Sequence, residues 1–221
     1  SQSYLNPMDL DLSTDVGESP MLMQADFLLS QCELMMASYG NPLMPIEKSL
    51  IDRCISLVYR DYLKRPTPEN MPILGDLYQC LRAQDNHTAD DLATAMEIYV
   101  TGSLSYLNHR TNVDLNNRLV CYNTSKMGQG LKKLVMANVQ KHIWQRTTIN
   151  RYAGVTTRIF LDEFHMLLKE PQTAAYTAEI YKRFRKWNGI PTSLTQNVKD
   201  LLAKTAISFS CSTRVPVTGA F

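Results

Sequence analysis

A chain of 221 residues with 44% apolar and 20% charged residues has an ordinary globular composition, long enough for one large domain or two small ones. Its net charge of +2 singles out no nucleic-acid or membrane partner, so any such contact has to come from a local patch. No apolar run is long enough to span a bilayer and no secretory leader pattern is read; the five cysteines form no Cys-x-x-Cys pair, so they read as buried free thiols of a reducing cytoplasm.

Residues 1–20 lack periodicity, and "NPMDLDL" reads as a turn followed by an extended piece. From Pro20 to about Ser38, Leu22, Ala25, Leu28, Cys32, Met35 and their neighbours recur at helical spacing, and Gly40 and Pro42 end the run. A second helix is predicted over Ile46 to Leu63, with Pro45 before it. The prolines of "KRPTPENMP" make a loop. A third helix is predicted over Ile73 to Ala83 and a fourth over Ala89 to Val100, capped by Asp85 or Thr88. Residues 20 to 104 thus read as an all-helical block.

The pattern then changes. "RLVCYN", Arg118 to Asn123, is a strand candidate, and Gly128 to Asn150 a long amphipathic helix. "TTRIFLD" is a second strand candidate, Ala174 to Trp187 a helix ended by Asn188 and Gly189, and "IPTSLTQ" a third strand. Strand, helix, strand, helix, strand builds a mostly parallel sheet, so the fold class is α/β with a helical block.

Functional side chains of parallel sheets sit at the carboxyl ends of strands, where "LDEF" places Asp162 and Glu163. An aspartate there holds magnesium through water in nucleotide hydrolases, and an adjacent glutamate orients the attacking water. The same two residues also suit a helix N-cap and its first turn. "YKRFRKWNG" sets Lys182, Arg183, Arg185 and Lys186 at a helix end, as a solvated basic face or as cations reaching a neighbour's triphosphate. Thr195 and Gln196 end the next strand, where an amide senses a γ-phosphate or serves as a plain strand-to-helix cap.

Residues 6 to about 202 resemble the conjugative-transfer ATPases of type IV secretion systems, the VirB/TraE-like group of Gram-positive mobile elements. The resemblance rests on "NPMDL", "EKSLIDRCISLVY", "GDLYQCL", "YVTGSLSYLNHRTNVDLNNRLVCYN", "LDEFHMLL" and "KRFRKWNGIPTSLTQNVKDLL". It implies a partial P-loop, RecA-like ATPase core with an all-helical insertion. Asp162 and Glu163 inherit the Walker B roles in magnesium binding and water activation. Arg183 and Arg185 become inter-subunit arginines, and Gln196, beside Thr195, the sensor. The domains it implies are a lead-in over 1–19, a helical insertion over 20–112, an ATPase-core part over 113–206 and an aberrant tail over 207–221. The intact relative is a hexameric, Mg-ATP-driven motor at the inner face of the membrane, working with secretion-machinery subunits to export DNA.

Two departures qualify that expectation. A phosphate loop needs Gly-x-x-x-x-Gly-Lys-Ser/Thr, and "GQGLKKL" at Gly128 to Leu134 has the wrong spacing. In the family the loop precedes "NPMDL", so the chain reads as a truncation that binds no nucleotide by itself. From about Ile207, "ISFSCSTRVPVTGAF" departs from the family's apolar strand, Met-Leu-Asn-Gln and Gly-Asp-Arg; a one-base shift permits that order, so 207–221 read as a frameshifted tail. The alternative function is a non-catalytic module that binds secretion subunits. A third is nucleic-acid contact through Lys132, Lys133, Lys141, His142 and Arg146 beside the basic helix end.

Overall fold

The computed structural model describes residues 2–12, 19–36, 42–124, 127–164 and 181–195, with the backbone alone at Gln129 and Arg185. The chain forms two compact units, Ser1–Ile143 and Trp144–Phe221. The described residues make a helix-rich fold with one small parallel sheet.

In the first unit, α1 (Pro20–Met36), α2 (Pro45–Val58), α3 (Arg60–Lys64), α4 (Leu74–Arg82), α5 (His87–Val100) and the first part of α6 (Gln129–Tyr152) enclose one core. Leu28, Ile51, Ile55, Leu77, Leu81, Met96 and Leu134 are among its fully enclosed side chains. Burying an aliphatic side chain of this size stabilises by about 1.5–3 kcal/mol, which is why these stripes drive the helices together.

Local chemistry sets the helix ends. Glu47 Oε2 accepts the Met44 amide at 2.6 Å ahead of α2, and Asp76 Oδ2 accepts the Ile73 amide at 2.8 Å ahead of α4. The cap of α5 is Asn86, not Asp85 or Thr88. Asn86 Oδ1 accepts the Ala89 amide at 3.2 Å, while Asp85 takes a left-handed backbone with φ 44° in the preceding turn. The single helix expected over 46–63 is two helices. The break falls at Tyr59, whose backbone opens to φ −83°, ψ −6° and whose ring is wholly buried.

Residues 4–10, "YLNPMDL", form a strap with neither helix nor strand, yet Leu5, Met8, Leu10 and Asn6 are buried. Buried carbonyls need donors, and side chains supply them. Asn138 donates to Leu5 O at 2.9 Å and Gln24 to Pro7 O at 3.0 Å. The Tyr59 and Tyr62 hydroxyls donate to Met8 O at 2.5 Å and Leu10 O at 2.8 Å. The expected turn is present, closed by the Asp9 amide on Asn6 O at 3.2 Å.

"RLVCYN" is not a strand. It follows a side-chain turn in which Asp114 Oδ1 accepts the Asn116 amide at 2.8 Å, and Leu119 is 87% exposed. No described strand pairs with it, and without a ladder its β-branched and aromatic residues have no sheet to join.

In the second unit, β1 (Thr157–Leu161) and β2 (Gly189–Ser193) pair in parallel, with Thr157 opposite Gly189 and Leu161 opposite Ser193. Residues 174–180 of the expected preceding helix lie outside the described residues. Its last turn is helical at 181–184 and tightens to a 3₁₀ turn at Arg185–Trp187. Asn188, with φ 54°, ends it as predicted. A Cβ on Gly189 would lie 2.4 Å from Cδ1 of the buried Phe184, so the chain enters β2 at a glycine. Residues 207–221 lie outside the described residues.

Candidate functional site

Asp162 and Glu163 follow the last residue of β1 directly, and Leu194 and Thr195 follow the last residue of β2. Because the strands are parallel and in register, both pairs stand at the same end of the sheet. Two bonds continue the pairing past the strands: the Leu194 amide donates to Leu161 O at 2.9 Å, and the Phe164 amide to Leu194 O at 2.9 Å. Phe164 is buried beside Tyr181, with ring centroids 5.8 Å apart, and the Tyr181 hydroxyl is hydrogen-bonded to Ser193 Oγ. The acidic turn is therefore anchored on both sides.

Within the turn, Asp162 is exposed and its Oδ1 accepts the Glu163 amide at 2.9 Å. Glu163 is half-buried and takes a left-handed backbone with φ 49°, a conformation that costs a non-glycine residue about 1–2 kcal/mol. Asp162 bonds the next residue's amide and Phe164 enters a 3₁₀ turn, while the helix that Asp162 would cap lies, from 165 on, outside the described residues.

The candidate residues divide by place. Asp162, Glu163 and Thr195 share the carboxyl end of the sheet. Gln196 lies outside the described residues. Arg185 sits in the 3₁₀ turn, where its backbone alone is described. Arg183 is exposed, its guanidinium 5.5 Å from the centre of the Trp144 ring.

That contact belongs to a stack the sequence reading did not foresee. Trp144 and Trp187 lie 4.4 Å apart at 35°, and Arg151 covers Trp187 at 4.7 Å. The order is Arg183, Trp144, Trp187, Arg151, two cations closing two indoles. The signal was available in outline: the chain's two tryptophans both stand in basic segments.

Two residues of the suggested basic nucleic-acid surface turn inward. Lys141 Nζ donates to Pro7 O at 3.1 Å and Asp9 O at 2.7 Å, and lies 4.7 Å from the Phe27 ring centre. Burial lowers its pKa to about 7, against the pull of Asp9. Burial, reinforced by the Lys141 charge, lowers His142 to about 3. Both are half-buried, and the Lys141 ammonium is engaged by the strap carbonyls. Their spacing from Leu134 and Asn138 on α6 puts them on its buried stripe.

Among the described residues no three His, Cys, Asp or Glu side chains come together to hold a metal. The single exposed carboxylate of Asp162 fits magnesium that arrives on nucleotide phosphates, which needs one or two carboxylates and keeps its waters. It does not fit an all-protein cage. Among the described residues no helix is long and apolar enough to cross a membrane.

No protein-family model and no curated protein matches the chain. Among solved structures it is similar to VirB4 of Thermoanaerobacter pseudethanolicus, with a TM-score of 0.71 at 22% identity. The chain has a VirB4-like fold. The similarity covers 90% of this chain and 55% of that one, so the chain spans about half the length of that protein. The helices of the first unit and the two parallel strands are thus parts of a known architecture.

Proposed function

We propose that the chain is part of an ATP-hydrolysing motor of the type IV secretion kind. One observation carries this: an adjacent Asp–Glu pair at the carboxyl end of a parallel strand, tied to the end of its neighbour, in a chain with a VirB4-like fold. The sequence motifs "LDEFHMLL" and "KRFRKWNGIPTSLTQNVKDLL" support the same assignment.

In that motor Asp162 holds a magnesium-bound water, and Glu163 orients the water that attacks the γ-phosphate. Thr195 and Gln196 report on the γ-phosphate from the next strand end. Arg183 and Arg185 reach the nucleotide of an adjacent subunit in a hexamer. Residues 113–206 are the ATPase-core part and 20–112 the helical insertion. The assembled motor works with secretion-machinery subunits at the inner face of the membrane. The 221 residues hold no phosphate-loop pattern, so this chain alone has negligible affinity for Mg-ATP.

Two measurements test this. Sequencing upstream of the codon for Ser1 is expected to show Gly-x-x-x-x-Gly-Lys-Ser/Thr in frame. The protein expressed from that longer frame is expected to hydrolyse ATP, with Glu163→Gln lowering kcat by about 10²-fold or more while ATP still binds. Wild-type turnover by Glu163→Gln would refute the assignment.

The alternative is a non-catalytic module that binds secretion subunits. It is favoured by a first unit with its own helical core and by the lack of a phosphate loop in the chain. A pull-down of intact motor subunits by this chain, unaffected by Glu163→Gln, would support it.

A further inference from the structure

Arg183 and Trp187 stand four residues apart on consecutive helical and 3₁₀ turns, and Trp144 and Arg151 seven apart on one face of α6. The two pairs interleave, all within the second unit. Arg183 lies 5.5 Å from the centre of the Trp144 ring, Trp144 stacks on Trp187 at 4.4 Å, and Arg151 covers Trp187 at 4.7 Å. The Trp144 ring is held further by Phe184, which is wholly buried, with centroids 6.0 Å apart. The half-buried indole of Trp144 is thus a fixed platform beside an exposed arginine.

We propose that Trp144 is the positioning residue for Arg183, setting the place from which its guanidinium reaches the nucleotide of an adjacent subunit; this rests on the motor function proposed for the chain. A long exposed arginine samples many rotamers, and those that miss the phosphate contribute nothing to catalysis. A carboxylate would hold the side chain but neutralise it. An indole attracts the cation through its ring quadrupole and leaves the charge in place for the transition state. Tryptophan is the strongest ring for such a contact, and Trp187 and Arg151 back it from the far side. Trp144 touches no substrate and acts only through Arg183.

Magnitudes separate the two residues. An inter-subunit arginine is worth about 10³- to 10⁵-fold in kcat. A surface cation–π contact biases the rotamers of that arginine by only about 2- to 10-fold.

The test uses the protein expressed from the longer frame. Arg183→Ala is expected to lower kcat by about 10³-fold or more. Trp144→Leu is expected to lower it about 2- to 10-fold at an unchanged KM for ATP, and Trp144→Phe, which keeps an aromatic face, by less. In the Arg183→Ala background Trp144→Leu is expected to change kcat by less than about 2-fold, since the arginine it positions is gone. A purely structural tryptophan would lower kcat by the same factor in both backgrounds. The wild-type 221-residue chain gives a measurement without any substitution: in its NMR spectrum the Arg183 δ-methylene protons are expected at high field, shifted by the Trp144 ring current. That shift and Trp144→Phe decide if Trp144→Leu fails to fold. An unshifted Arg183, wild-type turnover in Trp144→Leu, or an equal loss in both backgrounds would overturn the proposal alone. Wild-type turnover in Arg183→Ala, or no turnover by the longer protein, would overturn the motor function and the proposal with it.

Discussion

Leu194 donates its amide to the carbonyl of Leu161 at 2.9 Å, one residue beyond the last paired position of each strand. Its own carbonyl then accepts the Phe164 amide at 2.9 Å, so Leu194 bridges the two sides of the Asp162–Glu163 turn. The carboxylates stand on a backbone fixed by the sheet rather than on a loose loop, as a site that must hold charge in a set place requires.

The turn stores strain at Glu163, where φ is 49°. Glu163→Gly and Glu163→Ala both remove the carboxylate, but only glycine relieves the backbone. Glu163→Gly is therefore expected to be more stable than Glu163→Ala by about 1 kcal/mol in urea melts. Equal stabilities would mean that the turn relaxes to an ordinary backbone in the alanine variant.

Gly189 is tightly enclosed. An added Cβ meets Cδ1, Cγ and Cβ of Phe184 at 2.4, 3.0 and 3.1 Å, and Phe184 is fully buried, so its ring has nowhere to swing. Gly189→Ala is expected to cost about 1–3 kcal/mol. Gly128→Ala is the control, since nothing lies within 4 Å of a Cβ there. The Gly128 carbonyl accepts the first amides of α6, an N-cap position where alanine is poorer than glycine, so the change is expected to cost less than about 1 kcal/mol. Chemical denaturation followed by tryptophan fluorescence measures the first change, because Trp144 contacts Phe184 at 6.0 Å.

Local chemistry made most elements legible. Of the apolar stripe expected on α6, Leu131, Leu134, Val135 and Val139 are buried and Ala137, Ile143 and Trp144 half-buried, and Asn188–Gly189 marked a helix end that the left-handed Asn188 confirms. The acidic pair at a strand end was legible for the same reason, since "RIFLDE" is a β-rich run that stops at two charges. What failed depended on distant partners. "RLVCYN" has strand propensity but no described neighbour to pair with. The break at Tyr59 coincides with a hydroxyl bound to Met8, 51 positions away. Lys141 looked solvated because a helical wheel cannot show that the carbonyls of Pro7 and Asp9 would meet its ammonium.

The strap depends on a few side-chain donors. Tyr59 Oη donates to Met8 O and accepts from Gln24 Nε2 at 2.9 Å, all in the buried core. Tyr59→Phe keeps the ring and leaves the Met8 carbonyl without this donor, so it is expected to cost about 1–3 kcal/mol. Hydrogen exchange is the sharper measurement. The amides of Met8 and Asp9, bonded to Asn6 Oδ1 and Asn6 O, are expected to lose protection first, ahead of those in α4. Unchanged exchange at Met8 and Asp9 would mean that Gln24, Tyr62 and Lys141 hold the strap without Tyr59.

His142 sets the expected response to acid. Its folded pKa is lowered from 6.5 to about 3 by burial and by the neighbouring Lys141 charge. As pH falls below about 6.5, the unfolded chain takes up this proton while the folded chain does not, so stability falls with pH until about 3. Asp9 works the other way: burial raises its folded pKa above 3.8, so the folded state takes its proton first and gains stability as pH falls through that range. The wild type alone therefore mixes two opposite slopes. His142→Gln removes one of them, and the variant is expected to lose less stability than the wild type between pH 6.5 and pH 4 in parallel urea melts. Lys141→Met should also flatten the wild-type slope, because a His142 relieved of that charge titrates closer to its unfolded value. Parallel curves for wild type and His142→Gln across that window would show that His142 is protonated in the folded state, and its placement beside the buried face of α6 would then be wrong.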